Sequence, residues 1–191
     1  MSLFLKRVID YFCFMSNEVS FEKLKIVNTS VNDLDFTFYL FESAIAYQKK
    51  NGYELWPQFS EELIKNEIRE KRHWKILDGE IMVCIFSVMY SDPLIWLEKN
   101  NDPSVYLHRI AINPEFKGKG IMKLIKTWAI AHAKENHKKY VRMDTWGNNE
   151  TLRNYYISCG FNYIGQQHLK EIKDQPAHYG GLLLSLFDIK I

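Results

Sequence analysis

Apolar and polar residues alternate from Leu24 to Asn28, the two-residue period of a half-buried strand. Asn32 or Asp33 can cap a helix that follows through Tyr47, and Asn51-Gly52 ends it. Ser60, with Glu61 and Glu62 in the first turn, opens a second helix running to about Arg72. The link between these helices is short and aromatic, with Tyr53, Trp56-Pro57 and Phe59. Residues 73–77 and 81–90 are apolar runs around Asp78-Gly79, a dipeptide suited to the tight turn of an antiparallel hairpin. The stretch through Pro93, Trp96 and Asn101 reads as irregular. A half-apolar strand from Val105 then runs through Pro114 and Lys117-Gly118-Lys119-Gly120 into an amphipathic helix ending near Glu135. A strand at residues 140–145, a helix after Asn149, a strand near 163–168 and a last strand at 182–187 complete the pattern. Strands and helices alternate only in part, and the hairpin and last pair are antiparallel. The pattern therefore predicts an α/β (α+β) fold, a mixed sheet with helices on both faces.

Residues 1–20 read differently: Leu3, Phe4, Val8, Tyr11 and Phe12 fall near helical spacing, while Lys6, Arg7 and Asp10 interrupt any signal-peptide core. An extra helix packed on the domain or on a second subunit is expected there, with Met15 as an alternative start; residues 21–191 form a single domain. No apolar run reaches the length of a membrane span. With 191 residues, 47% of them hydrophobic, the chain can bury one full core. A net charge of +2 gives no reason to expect nucleic acid. Cys13, Cys84 and Cys159 are odd in number and far apart, which points to a reducing compartment, the cytoplasm. The six histidines are scattered, so spacing shows no metal cluster and no metal is required.

The strand-to-helix junction is the chemically informative segment. The first turn of a helix has N–H groups without partners and the positive end of the macrodipole, so it suits an anion. Gly118 and Gly120 allow close approach of a diphosphate to the main chain, and Lys117, Lys119 and Lys123 add positive charge. An ordinary connection with solvated lysines is the alternative for the glycine pair alone. A P-loop is excluded because no hydroxyl residue follows Gly120, and a Rossmann fingerprint fails because Lys123 stands at the third glycine.

The segment Lys117-Gly118-Lys119-Gly120-Ile121-Met122 resembles the Gln/Arg-x-x-Gly-x-Gly/Ala signature of the Gcn5-related N-acetyltransferases, the GNAT superfamily. It departs at Lys117, which keeps the cation, and at Met122, where the family has a small residue. Downstream, residues 149–161 are similar to the family's Asn-x-x-Ala-x-x-Leu-Tyr-x-x-x-Gly-Phe helix, from Asn149 through Tyr156 to Gly160-Phe161. The resemblance covers the C-terminal half of the chain well and the N-terminal half only through element order.

The resemblance implies a mostly antiparallel central sheet of six to seven strands and acetyl-CoA as cosubstrate. It implies that the pantetheine arm pairs along Ile110, Ala111 and Ile112, that the turn from Lys117 to Met122 cradles the pyrophosphate, and that Tyr156 protonates or orients the sulfur. Asn149 either binds the CoA arm or caps its own helix. Within that frame His108 is the leading general base, with a buried strand histidine as the alternative, and Asp144 and Glu98 are weaker choices. Tyr106 shares the face of His108, Tyr155 is expected to be the core aromatic of its helix, and Cys159 is structural. His168 and His178 belong to the surface or a hairpin. Tyr53, Trp56 and Phe59 either wall the acceptor pocket or join the core. The implied activity is N-acetylation of a small-molecule or amino-acid-like amine; acetylation of a protein and a non-catalytic CoA-binding module are the alternatives. The expected partner is that amine, with neither nucleic acid nor membrane; a homodimer through the N-terminal helix of residues 1–20 or the last strand is an option.

Overall fold

Residues 23–169 and 181–191 are described by the computed structural model. The N-terminal extension with Cys13 and Met15, and His178, lie outside the described residues. The elements are β1 (Leu24–Asn28), α1 (Leu34–Lys50), α2 (Glu61–Arg69), β2 (His73–Asp78), β3 (Ile81–Met89), α3 (Pro93–Trp96) and β4 (Ser104–Ile112). They continue with α4 (Ile121–Glu135), β5 (Tyr140–Trp146), α5 (Glu150–Ser158), β6 (Asn162–His168) and β7 (Leu183–Lys190). The strands form one sheet of seven in the order β1-β2-β3-β4-β5-β7-β6. Every pairing is antiparallel except β4 with β5, the pair joined by the α4 crossover. Among the described residues no helix is long and apolar enough to cross a membrane.

Alternation along the central strands divides the core into layers. On β3, Cys84, Phe86 and Val88 face a cluster built with Ile121, Met122, Ile125 and Ala129 of α4, while Ile85 faces Leu40, Phe41 and Ile64 of α1 and α2. A third cluster gathers Ile95, Trp96, Tyr106, Leu184 and Leu186. With both faces covered, β3 is buried from Met82 to Val88.

Element ends depart from the sequence pattern for local reasons. Helix α1 continues past Tyr47 to Lys50, where Asn51 donates through Nδ2 to the Tyr47 carbonyl at 2.7 Å and Gly52 turns the chain at φ +66°. Ser60 caps α2 as expected, accepting from Leu63 N at 3.2 Å, but α2 stops at Arg69 because Lys71 takes φ +56°. The stretch read as irregular is helical: Pro93 supplies the fixed φ of a first turn, and a 3-10 turn at Leu97–Asn101 follows.

His73 is fully buried where β1 and β2 meet the Phe41 ring, and its Nδ1 lies 2.8 Å from Thr29 Oγ1. Burial, reinforced by the Arg109 charge, pushes its pKa down to about 4. In the unfolded chain the ring takes its proton near 6.5, so the folded protein binds fewer protons between those values and loses stability as pH falls through them. Urea unfolding of the protein at pH 6.5 and pH 4 is expected to include a loss on the order of 3 kcal/mol from this group. His73→Gln, which cannot titrate, should flatten that part of the slope; equal slopes in both proteins would contradict the assignment.

Candidate active site

The parallel pair β4–β5 is in register only from Ser104 opposite Tyr140 to Leu107 opposite Met143. Beyond those residues both strands continue but no longer pair, so a cleft opens between residues 108–112 and 144–146. The cause lies on the other side of β4. Between the pairs Ile85–Ala111 and Ser87–His108, β3 advances by two residues and β4 by three, a bulge with Arg109 at φ +51°. Such a conformation costs a non-glycine residue on the order of 1–2 kcal/mol. Glu67 of α2 offsets it: its carboxylate, 1% exposed, pairs with Arg109 and accepts from Ser87 Oγ at 2.6 Å. Arg72 Nη1 stands 3.7 Å from the same carboxylate. Past the bulge Ile110 and Ile112 pack under α4 and Ala111 under α1, while among the described residues the edge of β4 facing the cleft has no partner strand.

At the far end of β4, Asn113 Nδ2 donates to the Met82 carbonyl at 3.0 Å, and its Oδ1 accepts from Glu115 N at 3.2 Å. The chain then turns through Gly118 and Gly120, at φ +78° and +74°, into the first turn of α4. Both glycines are required by backbone sign, which side chains disfavour. Ile121 and Met122 are each 1% exposed, with side chains in the core. Met122 thus points inward, and its backbone N–H meets the Tyr155 phenol oxygen at the first turn of α4, the end of a helix where N–H groups lack intrahelical partners. Lys117 Nζ rests 3.0 Å from the centroid of the Tyr47 ring and Lys119 Nζ lies 4.7 Å from that of Phe116, while Lys123 is exposed.

The first residues past the last β4–β5 pair are His108 and Asp144, and Asp92, just before α3, joins them. Their ligating atoms lie within 4.8 Å of one another. His108 Nε2 is 3.3 Å from Asp92 Oδ2, close enough for an ion pair but not aligned as a hydrogen bond, so both buried atoms lack a hydrogen-bond partner. Asp92 is held from behind: its N–H donates to Asn100 Oδ1 at 2.6 Å, and Asn100 Oδ1 also accepts from Tyr106 Oη at 3.1 Å. Burial, and then the Asp92 charge, raise the Asp144 carboxyl to about 6 against the opposing pull of His108 and Arg109.

Tyr156 packs its ring on Phe187, at 5.5 Å between centroids, and on Phe161, at 6.4 Å. Burial, reinforced by Tyr155 and Asp144, pushes its phenol well above the usual range, so it stays a neutral O–H donor. Tyr155, expected in the core, is instead 38% exposed, and Tyr156 is the one packed on the core cluster. Adjacent residues on a helix point about 100° apart, so only one of the two tyrosines can face the core, and here it is Tyr156 rather than Tyr155. Asn149 caps α5, its Oδ1 accepting from Leu152 N at 2.9 Å. Cys159 is 2% exposed within the core.

A cavity of about 520 Å³ opens at the end of β5, between Tyr53 and Glu54, residues 146–149, His168, and the start of β7. The structure brings Tyr53 and Asn149 to this cavity. It puts Trp56 and Phe59 against Phe41 instead, at 6.3 and 4.8 Å between centroids. Glu98 is exposed on the 3-10 turn and His168 at the end of β6, outside the His108 cluster. Sequence reasoning missed Asp92, Glu67 and Arg109. Asp92 before Pro93 has the signal of a helix cap, and nothing in the spacing links Glu67 to a strand residue far along the chain.

Comparison with known proteins adds four findings. A family model described as Acetyltransferase (GNAT) family matches residues 43–161. The uncharacterized N-acetyltransferase YesJ of Bacillus subtilis (strain 168) is 27% identical over 74 residues, a stretch covering 39% of this chain and 41% of that protein. The chain therefore spans less than half the length of that curated relative. An acetyltransferase of the GNAT family from Listeria monocytogenes superposes with a TM-score of 0.69 at 19% identity, over 88% of this chain and 95% of the other. Spermidine N-acetyltransferase from Vibrio cholerae, solved with CoA and spermine, superposes with a TM-score of 0.61 at 16% identity, over 88% and 96% of the two chains. At these identities the likeness is one of fold.

Removing the Glu67 side chain leaves Arg109 as a largely buried cation, 13% exposed, on its own strained backbone. Glu67→Ala should therefore destabilise the protein by about 3–5 kcal/mol. Chemical denaturation measures it, and a loss below about 1 kcal/mol, the value of an exposed pair, would show that Arg109 does not depend on Glu67.

Proposed function

Because the chain belongs to the acetyltransferase (GNAT) family, we propose that it transfers an acetyl group from acetyl-CoA directly to the primary amine of a small-molecule or amino-acid-like acceptor. The observation that carries this reading is the parting of β4 and β5 after Leu107 and Met143, with His108, Asp144 and Tyr156 at the point of parting. A glycine turn suited to a diphosphate lies at one end of the cleft, and a cavity lies beyond the end of β5.

In this reading the pantetheine arm adds to the free edge of β4 along Ile110, Ala111 and Ile112, as an extended peptide adds to a sheet. Its pyrophosphate takes the N–H groups between Gly118 and Met122, and Lys117 and Lys119 balance its charge. The bulge turns a backbone N–H toward the thioester oxygen, where a fixed donor contributes a few kcal/mol to catalysis. The acceptor enters from the cavity beside Tyr53. His108 takes a proton from the amine, the nitrogen attacks the thioester carbon, and the new C–N bond replaces the C–S bond. The departing sulfur receives a proton from the Tyr156 hydroxyl. A cavity of about 520 Å³ suits a metabolite-sized acceptor. The V. cholerae relative solved with spermine is similar in fold and gives one example of such an amine. The buried, unpaired Cys84 and Cys159 suit a reducing compartment such as the cytoplasm.

Acetyl-CoA and CoA at a hundred times their dissociation constants should each stabilise the protein by about 2.7 kcal/mol, read as a rise in melting temperature. No rise with either ligand would sink the reading. In a thiol-release assay across a panel of small amines, Tyr156→Phe and His108→Gln should each lower kcat by about 100-fold or more while the acetyl-CoA shift persists. Undiminished turnover in either variant removes the role given to that residue.

A further inference from the structure

We infer that Asp92, His108 and Asp144 form a site for a divalent transition-metal ion of the zinc class, and that an ion held there switches acyl transfer off. The second half rests on the function proposed above; the first does not. The three side chains come from three segments, the loop before α3, β4 and β5; the sheet sets the spacing of His108 and Asp144, and a hydrogen bond to Asn100 fixes the main chain of Asp92 beside them. Zinc binds imidazole nitrogen and carboxylate oxygen at about 2.0–2.2 Å, which puts neighbouring ligands of a tetrahedral site about 3.3 Å apart. His108 Nε2 and Asp92 Oδ2 stand at 3.3 Å, and the three ligating atoms all lie within 4.8 Å of one another.

Two further observations separate this cluster from a chance meeting of acidic groups. The Asp92 side chain is more than nine-tenths buried, and its Oδ2 and the Nε2 of His108 have no hydrogen-bond partner among the described residues. Buried polar atoms are normally paired, and an aligned hydrogen bond between these two would have satisfied both. The main chain of Asp92 is fixed by Asn100, so the carboxylate is aimed at the cluster rather than swept there by a mobile loop. The charges agree as well. Two carboxylates and a neutral imidazole balance a divalent cation, and Arg109, the cation beside them, is engaged by Glu67. Carboxylate and imidazole ligands without thiolate favour zinc and its neighbours over softer ions. Three protein ligands leave a fourth position open on the cleft between β4 and β5. An ion there occupies the His108 lone pair that the reaction needs for the amine proton.

The test uses Co²⁺ as a spectroscopic substitute on the chelator-treated full-length protein. Visible absorption of four-coordinate Co²⁺ should rise to saturation at one ion per chain and vanish on addition of Zn²⁺. Asp92→Asn should weaken Co²⁺ binding at least tenfold while keeping the acetyl-CoA thermal shift, which shows that the variant is folded. No such absorption in the wild type, or equal binding by Asp92→Asn, would overturn the site; a cluster that takes only an ammonium group would give that result. Zn²⁺ at the same occupancy should stop thiol release by the wild type, with recovery on chelation. Full activity of the zinc-loaded protein would overturn the inhibitory half. A protein that binds Co²⁺ in this way but acetylates no amine would keep the metal site and refute the acyl-transfer reading instead.

Discussion

The pairing of Glu67 with Arg109 is the interaction on which the site depends. A bulge in a central strand is unstable on its own account, because it sacrifices ladder hydrogen bonds and here holds Arg109 in a left-handed conformation. A buried carboxylate is equally costly alone. Each makes the other tolerable: Glu67 draws the Arg109 side chain to α2, and the guanidinium neutralises a charge that is 1% exposed. Ser87, on the neighbouring strand, completes the carboxylate's hydrogen bonding at 2.6 Å. The bulge is thus tied to a helix and to an adjacent strand at once. The parting of β4 from β5 lies directly beyond it.

From that parting the chemistry follows by position. The residues just past the last paired positions, His108 and Asp144, are the first to face open space, and Asp92 reaches the same point from the loop before α3. Burial on a sheet that is otherwise covered on both faces raises the cost of charge there. This is why Asp144 sits near 6 and Tyr156 holds its proton. The glycine turn follows the C-terminal end of β4 and the cavity the C-terminal end of β5, so the parallel pairing sets both at the edge of the sheet where the two strands part.

Much of this was legible in the chain. Alternation at Leu24–Asn28 and the Asp78-Gly79 turn gave β1 and the hairpin, since both signals are local. The glycine turn was readable because its two glycines serve a backbone sign that few residues accept, and both adopt it. The Asn149 cap was readable for the same local reason. The Pro93–Asn101 stretch was misread because short helical turns there draw on buried Ile95 and Trp96 rather than on a long periodic pattern. Trp56 and Phe59 carried no sign of which way they face, and packing on Phe41 settled it. Glu67 was invisible as a partner of Arg109 because its helical spacing marks it as an ordinary surface acid; only the fold brings the two together.

Met122 joins two matters that are usually separate. Its backbone belongs to the turn proposed to hold the pyrophosphate, and its side chain, 1% exposed, is part of the interior shared by α4 and the sheet. The residue allowed at this position is therefore set by interior volume as well as by what touches phosphate. Variation among descendants of this chain should be constrained here from two sides. A change that loosens the core beneath α4 also loosens the turn above it, and under the proposed function selection for either trait will act on both.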